Sequence, residues 1–321
     1  MLSRVAENLY WKARYLERAE NTARLINATS QMLLDLPPGA SFGWDVLVRV
    51  VGLDGVFEQA YPSHDETSIT RFLVSDPRNP SSILTCMQGA RENSRRLRDV
   101  LPRAAWERIN AMYLAFRSRC GEVSARADLR RLLDELILGR QSVGGLLMEC
   151  MSHDLAYHFI RLGEHLERAD MTTRIVDIHA AVLVPRQQVP EDPALALLWV
   201  GVLKSLSAFQ MYRRHGSVQV NGAGVLNYLI NDPHFPRSVR FCLDEIETHL
   251  TELPRNASPL RALRAAQRRV DGTRLGELSP AQRHEFLDAV QTDLGRLHAE
   301  IARGYFHLHE QQPGPLQAVA G

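Results

Sequence analysis

The sequence predicts an all-α protein: a helical bundle built from two tandem-duplicated multi-helix repeats. Apolar residues recur every three or four positions through most of the 321 residues, which is the period of a half-buried helix. Alternation with a period of two, the signature of a strand, is almost absent. Two segments of the first half also return in the second half in the same order, which predicts an internal duplication.

Proline- and glycine-rich stretches interrupt the apolar period and separate the predicted helices. The long helices are expected at residues 3–35, 43–61, 81–99, 102–118, 126–150, 154–183, 194–213, 237–252, 258–271 and 279–309. Shorter helices are expected at 66–74 and 222–230. We expect residues 311–321 to form a flexible tail.

The duplication rests on two pairs of matching segments. LERAENTAR at 16–24 returns as LERADMTTR at 166–174, and FLVSDPRNPSSILTC at 72–86 returns as YLINDPHFPRSVRFC at 228–242. The two offsets, 150 and 156 residues, are too long for a solenoid repeat, so each copy should be a multi-helix unit. We therefore predict a first repeat at 1–150 and a second at 151–310.

Charge and composition exclude several classes of protein. The 38 Lys and Arg residues nearly balance the 37 Asp and Glu residues, so a general affinity for nucleic acid or for an anionic membrane is not expected. The four cysteines are widely separated, which argues against a disulfide framework. The sequence shows neither a signal segment nor a membrane-spanning apolar run. These features predict a cytoplasmic protein.

The first LERA segment places charges on a largely apolar helix. At 100° per residue, Glu20 falls within the apolar stripe and Glu17 and Arg24 lie at its edge. Glu20 precedes Arg24 by four residues, the spacing of a helical ion pair. Arg18 points to the other side, which is also partly apolar. Charges on such a central helix must be paired.

The second LERA segment repeats the arrangement, with Asp170 in the stripe, Glu167 and Arg174 at its edge, and Arg168 on the other side. One interpretation is a set of buried salt bridges that fix the register of the helices, and from the pattern we favour it. The other is a cleft in which these side chains grip a carboxylate or phosphate. The candidate binding residues are Glu17, Arg18, Arg24, Glu167, Arg168, Arg174, Arg91 and Arg95. Glu20 and Asp170 are expected to be structural.

A third group of charges follows the first repeated DP segment. Arg91, Arg95 and Arg98 share one face of the predicted helix, which suits an anion-binding strip. The alternative is a solvated face, since Glu92 stands four residues before Arg96 and can pair with it.

The repeated DP segments carry expected capping residues. Asp76 and Asp232 should stop one helix, and Ser82 and Ser238 should cap the next.

A metal site is not expected. Asp154, His158 and His165 share one face of the predicted helix at 154–183, but the equivalent of His165 in the first copy is Tyr15. Neither copy contains the repeated Glu-x-x-His of di-iron bundles. No cofactor is expected either.

The paired segments NLYWKARYLERAENTARLI and FIRLGEHLERADMTTRIVDI, the DPxxPxS pattern and ARENSRRLRD at 90–99 resemble the bacterial alpha-E family. That family is all-helical, is named for a Glu-Arg motif and typically occurs as a tandem duplication. The second copy departs from the pattern, because DEIETHL at 244–250 replaces the arginine-rich segment. The resemblance implies an association with ATP-grasp-type ligases, transglutaminase-like proteins and an NTN-hydrolase-type peptidase, and hence with peptide synthesis or modification.

Three functions follow as hypotheses. The first is a non-catalytic binding or accessory module that holds a peptide substrate or docks an ATP-grasp-type ligase. The second is an amide-bond-forming or transferase component, with Glu17 or Glu167 as acid or base and arginines on a carboxylate or phosphate. The third is a purely structural scaffold or a subunit of a homo-oligomer.

Overall fold

The computed structural model describes residues 3–36, 42–121, 125–183, 193–215 and 220–306. Within these ranges the chain forms fourteen α-helices, one short 3-10 helix at Leu275–Glu277 and no strand. The all-α prediction is therefore confirmed. The helices are α1 (Ser3–Asp35), α2 (Asp45–Val51), α3 (Asp54–Ala60), α4 (Glu66–Val74), α5 (Ile83–Arg95), α6 (Arg103–Arg119), α7 (Arg126–Cys150), α8 (Leu155–Leu183), α9 (Pro193–Ser205), α10 (Phe209–Arg214), α11 (Gly222–Asn231), α12 (Val239–Thr251), α13 (Ala257–Val270) and α14 (Pro280–Tyr305). The predicted tail at 311–321 lies outside the described residues.

The two long helices that carry the LERA segments pack against each other at the centre of the molecule. α1 also packs on α5, α7 and α9, whereas α8 packs on α12, α14 and α2. Gly163 allows the close crossing of α1 and α8, because a Cβ there would lie 2.3 Å from the carbonyl oxygen of Tyr10. A side chain at this position would force the two backbones apart.

Two predicted helices are each broken in the middle. The segment 43–61 forms α2 and α3, and the break follows Gly52, whose φ is +68°. The segment 194–213 forms α9 and α10, with Ser207 at φ +54° between them. A left-handed residue ends a helix, and apolar periodicity does not report it. Both single-helix predictions were therefore wrong.

The predicted helix at 81–99 is shorter than expected. α5 ends at Arg95, so Arg98 does not continue the helical face of Arg91 and Arg95. The predicted Glu92–Arg96 pair is also wrong, because Glu92 instead pairs with the other two arginines of the strip, Arg91 and Arg95.

The repeated serines cap the helices that follow them. Ser82 Oγ accepts a hydrogen bond from the backbone N–H of Thr85 at 3.3 Å, and Ser238 Oγ accepts one from Phe241 at 3.1 Å. Both are N-cap bonds of the expected kind.

Each repeated aspartate begins the turn that follows a helix, α4 for Asp76 and α11 for Asp232. Asp76 Oδ1 accepts from the backbone N–H of Arg78 at 2.8 Å, and Asp232 Oδ1 accepts from that of His234 at 2.9 Å. Asp76 also pairs with the Arg78 guanidinium at 2.7 Å. Its pKa falls to about 2, chiefly because that guanidinium donates to the carboxylate.

Among the described residues, no helix is both long and apolar enough to cross a membrane.

Candidate functional site

The glutamates and arginines of both LERA segments lie inside the molecule. Glu17 is 0% and Glu167 1% exposed, and Arg18 and Arg168 are 6% and 8% exposed. They sit where α1 crosses α8. Buried charges of this kind must be compensated by partners at close range.

The two helices exchange these partners reciprocally. Arg168 Nε and Nη2 each donate to one carboxylate oxygen of Glu17 at 2.9 Å. Arg18 Nε donates to Glu167 Oε1 at 2.5 Å, and its Nη2 donates to Glu167 Oε2 at 2.9 Å. Both contacts are bidentate, which is the strongest geometry of an arginine with a carboxylate. Each LERA helix thus neutralises the charge of the other.

Two further arginines reach Glu17 from outside the LERA helices. Arg140 Nη2 of α7 donates to Oε2 at 2.8 Å, and Arg237 Nη1 donates to Oε1 at 2.9 Å. Burial alone would raise the pKa of Glu17, but Arg168, Arg237 and Arg140 outweigh it and hold this pKa far below its ordinary value. Glu17 is therefore ionised at neutral pH.

Glu167 has one further arginine. Arg14 Nε donates to Oε2 at 2.7 Å, and the Arg14 guanidinium lies over the Trp11 ring, 5.0 Å from its centroid. Burial would raise the pKa of Glu167, but Arg18 and Arg14 outweigh it and lower this pKa to about 2.

Two more carboxylates extend the network on the Glu17 side. Glu20 accepts from Arg237 Nη2 at 2.8 Å. Glu164 accepts from Arg168 Nη2 at 2.6 Å and forms an ion pair with Arg140 at 2.8 Å. Arg168 and Arg237 therefore each bridge two carboxylates, and Arg140 bridges three.

The sequence analysis did not identify Arg14, Arg140, Arg237 or Glu164. Arg140 offered a signal, because it lies on the apolar face of α7 between Leu136 and Val143. An arginine on a buried face implies a buried acid. Nothing in the sequence says which one.

The expected ion pairs four residues apart are present in both LERA helices. Arg24 donates to Glu20 Oε1 at 2.6 and 2.8 Å, and Arg174 Nε donates to Asp170 Oδ2 at 3.0 Å. Arg24 Nη1 also donates to Ser207 Oγ at 2.5 Å. The second pair is the more exposed of the two.

Arg91 and Arg95 belong to a separate group. Arg91 Nε donates to Asn110 Oδ1 at 2.7 Å, and both arginines pair with Glu92. Arg95 is largely exposed, so its pair contributes little to stability. Anion binding by Arg91 and Arg95 stays a prediction.

Lys12 is a buried cation beside the network. It is fully buried, and its Nζ has no hydrogen-bond partner among the described residues. Burial lowers its pKa to about 7; Arg140 acts in the same direction and Glu164 in the opposite one. Lys12, Arg140 and Glu164 line a cavity of about 20 Å³, which has room for about one water molecule. A substrate does not fit there.

This arrangement suits a structural role for the two motif glutamates. A general acid or base needs a pKa near the working pH and must reach the proton it transfers. Glu17 and Glu167 are enclosed and their pKa values are strongly lowered. Their oxygens are already occupied by arginines. The geometry favours the buried salt-bridge interpretation over the open cleft.

Comparison with known proteins identifies the family. A model described as a predicted alpha-helical domain with a conserved ER motif, Alpha-E, matches residues 1–306. The chain belongs to the alpha-E family. Within this alpha-E fold, Glu17–Arg18 and Glu167–Arg168 are the Glu-Arg dipeptides that meet at the α1–α8 crossing.

The similar proteins are longer than this alpha-E chain. Uncharacterized proteins of Mycobacterium bovis and of two strains of Mycobacterium tuberculosis are 24% identical to it over 322 residues. The alignment covers 93% of this chain and 35% of each relative. The chain thus spans about a third of the length of the curated relatives it matches. No solved structure matches it.

Proposed function

We propose that this alpha-E chain is a non-catalytic, cytoplasmic binding module that assists an ATP-grasp-type ligase in a peptide synthesis or modification system. One observation carries the proposal: the Glu-Arg motif is saturated inside the core, where it holds α1 against α8 and offers no free charge to a substrate. Recognition must then use the outer surface. The association of the family with such ligases supports the choice of partner, and a peptide substrate or a transglutaminase-like protein is a further candidate.

The proposal includes the duplication, with repeats at 1–150 and 151–310. The reciprocal pairs of Glu17 with Arg168 and Glu167 with Arg18 support it. The two left-handed breaks and the two serine caps support it independently. In this view the Glu-Arg motif is the lock that joins the two repeats.

The greater length of the relatives supports the proposal that this chain acts as a module of larger proteins. This alpha-E chain corresponds to only 35% of the mycobacterial proteins, so the same fold occurs there beside other sequence. A rigid unit that is used in several contexts needs a stable core and an external contact surface.

We place the ligase contact on the outer face of α7. Leu138 and Met148 are both 64% exposed there, and at 100° per residue they lie within about 80° of each other. Large exposed apolar side chains that share a face mark interaction surfaces more often than scattered ones do.

The test uses the purified full chain and the ATP-grasp-type ligase of the same genome. We expect calorimetry to show binding that is lost in Leu138→Asp combined with Met148→Asp. Leu34→Asp is the matched control, because Leu34 is 62% exposed on α1, and it should leave the affinity unchanged.

Two outcomes would contradict the proposal. The first is the absence of any complex with the ligase, while the chain forms a homo-oligomer through the same face; this would favour the scaffold. The second is turnover of a peptide or ATP by the chain alone that disappears in Glu17→Gln with the helical spectrum intact.

A further inference from the structure

A second polar cluster lies between α8 and α12, apart from the motif glutamates. It consists of His165 on α8 and of Glu245 and His249 on α12, and one nitrogen or oxygen from each lies within 4.8 Å of the others. Glu245 Oε2 is 3.5 Å from His165 Nε2 and 3.8 Å from His249 Nε2. Two imidazoles and a carboxylate thus converge on one point.

Three of the four imidazole nitrogens in this cluster lack a hydrogen-bond partner among the described residues. His165 is fully buried, and neither of its ring nitrogens makes a hydrogen bond within the described part of the chain. His249 Nε2 makes none there either. A buried polar atom without a partner is unfavourable, and an imidazole nitrogen in that situation is a good metal ligand. The site is therefore incomplete without a further group.

The corresponding place in the first half of the chain is filled by packing. Tyr15 and Gly89 stand at the positions of His165 and Glu245 when the offsets of 150 and 156 residues are applied. A Cβ on Gly89 would lie 3.0 Å from the Tyr15 ring, so the ring already covers the α5 backbone there. The contact of α1 with α5 is therefore made without the carboxylate and the imidazoles that lie between α8 and α12. The three donors between α8 and α12 need another explanation.

We infer that His165, Glu245 and His249 bind a divalent transition-metal ion, for which Zn²⁺ is the best fit. Nitrogen and carboxylate ligands at about 2.0–2.1 Å from a tetrahedral zinc are about 3.3 Å from one another. The two separations to Glu245, 3.5 and 3.8 Å, need to contract by about 0.2 and 0.5 Å, and the two imidazoles, which lie within 4.8 Å of each other, must also move together. Octahedral geometry would require about 3 Å and a larger contraction.

The surroundings of the cluster support this assignment. His249 Nδ1 lies 3.0 Å from His158 Nδ1. When His249 Nδ1–H donates to His158 Nδ1, the His249 ring is held in place and its Nε2 lone pair is left for the ion. Glu245 is 32% exposed, so an ion can enter from solvent. Three protein ligands leave a fourth position for water.

Two arginines act against the ion. Arg161 Nη2 lies 3.7 Å from Glu245, but Arg161 Nη1 is held by Glu164 at 2.8 Å. Arg168 also opposes positive charge near His165, but it is paired with Glu17 and Glu164.

No metal was expected from the sequence, because Tyr15 takes the place of His165 in the first copy and neither copy contains a repeated Glu-x-x-His. Glu245 and His249 lie about 80 residues later and reach His165 only through the packing of α8 on α12.

The test is a zinc titration of the untagged full chain after treatment with EDTA, in competition with a chromophoric chelator. We expect one Zn²⁺ per chain, and we expect Co²⁺ in its place to give the visible bands of a tetrahedral site. Glu245→Gln and His249→Asn should each weaken the affinity at least 100-fold. His158→Asn, which removes only the support of a ligand, should weaken it 10- to 100-fold.

His284→Gln is the matched control, because His284 pairs with Asp177 at 2.9 Å, does not belong to the cluster, and should leave zinc affinity unchanged. Thermal unfolding in EDTA shows that each variant is folded, so that a loss of affinity reports the site. The inference is overturned by zinc affinity that survives in both Glu245→Gln and His249→Asn, or by a folded wild-type chain that takes up no zinc at micromolar concentration.

Discussion

Glu17 and Glu167 stand at matching places in the two LERA segments, yet they are held by different numbers of arginines. Glu17 contacts Arg140, Arg168 and Arg237. Within the described part of the chain, Glu167 contacts two arginines, both of α1, at positions 14 and 18. The Glu17 side therefore holds more positive charge around its carboxylate.

A single position accounts for much of this difference. Arg237 stands where the first half of the chain has Ser81. Arg237 donates to Glu17, whereas the Ser81 hydroxyl lies 3.5 Å from Arg18 and adds no charge. The same motif can thus be built with a redundant set of charges or with a minimal one. The minimal set should lose more stability than the redundant one when a carboxylate or an arginine is removed.

Removal of a carboxylate should have the largest effect, and it should be worse on the Glu167 side. Glu17→Ala leaves each of its three arginines paired with Glu20 or Glu164, whereas Glu167→Ala leaves the two arginines of α1 with no carboxylate partner among the described residues. We expect losses of about 3 and about 5 kcal/mol in the free energy of unfolding, respectively. Urea denaturation followed by circular dichroism measures both. Equal losses would mean that Glu20 and Glu164 do not compensate for the loss of Glu17.

Low pH should cause the second-largest loss of stability, through protonation of Glu167. The pKa of Glu167 in the folded chain is about 2, below its value in the unfolded chain. Its contribution is therefore present above about pH 4.5 and is lost as the pH falls towards 2, by about 3 kcal/mol. Glu167→Gln should flatten this part of the stability profile. An unchanged acid slope in that variant would show that other carboxylates cause the loss.

Removal of one arginine should also cost more on the Glu167 side. Arg18→Ala leaves Glu167 with a single arginine, and we expect a loss of about 2–3 kcal/mol. Arg168→Ala leaves Glu17 with two, and we expect about 1–2 kcal/mol. The two variants are compared by the same denaturation. A larger loss in Arg168→Ala would contradict the idea of redundancy.

Lys12 tests the excess of positive charge on the Glu17 side. Its pKa in the folded chain is about 7, so the unfolded chain binds the extra proton between about pH 7 and 10.5. Stability should rise with pH across this window. Lys12→Met should stabilise the protein by about 1–2 kcal/mol at pH 7 and remove the slope. A destabilised variant with the slope retained would show that Lys12 is paired.

The ion pairs within one helix, Glu20 with Arg24 and Asp170 with Arg174, should contribute least to stability. Arg24→Ala leaves Glu20 with Arg140 and Arg237, and we expect a loss of about 1–2 kcal/mol. Arg174→Ala should lose below about 1 kcal/mol, because Asp170 is partly exposed and water can solvate it. Thermal or chemical unfolding of both variants measures these differences. A loss above about 3 kcal/mol for Arg174→Ala would mean that Asp170 is stranded in a dry site.

The sequence predicted what is periodic or local. Helical spacing gave the all-α class and the Glu20–Arg24 and Asp170–Arg174 pairs, because both partners lie on one helix. The serine caps followed from local turn chemistry. The break at Ser207 was missed, since a non-glycine residue with positive φ leaves no mark in the apolar pattern.

The sequence could not predict contacts between helices that are far apart in the chain. A helical wheel shows which face of α1 is buried but not which helix covers it, so the exchange of Glu17 and Glu167 between α1 and α8 could not be assigned. Arg140 comes from α7, and Arg237 from the loop before α12. One sequence without a fold does not say that these residues meet.

The account depends on the direct bond between Glu17 and Arg168 across the α1–α8 crossing. A double-mutant cycle with Glu17→Ala, Arg168→Ala and the double variant, measured by urea denaturation at pH 7, isolates its energy. We predict a coupling of about 2 kcal/mol or more. A coupling below about 0.5 kcal/mol would show that the two residues act independently and would contradict the buried lock.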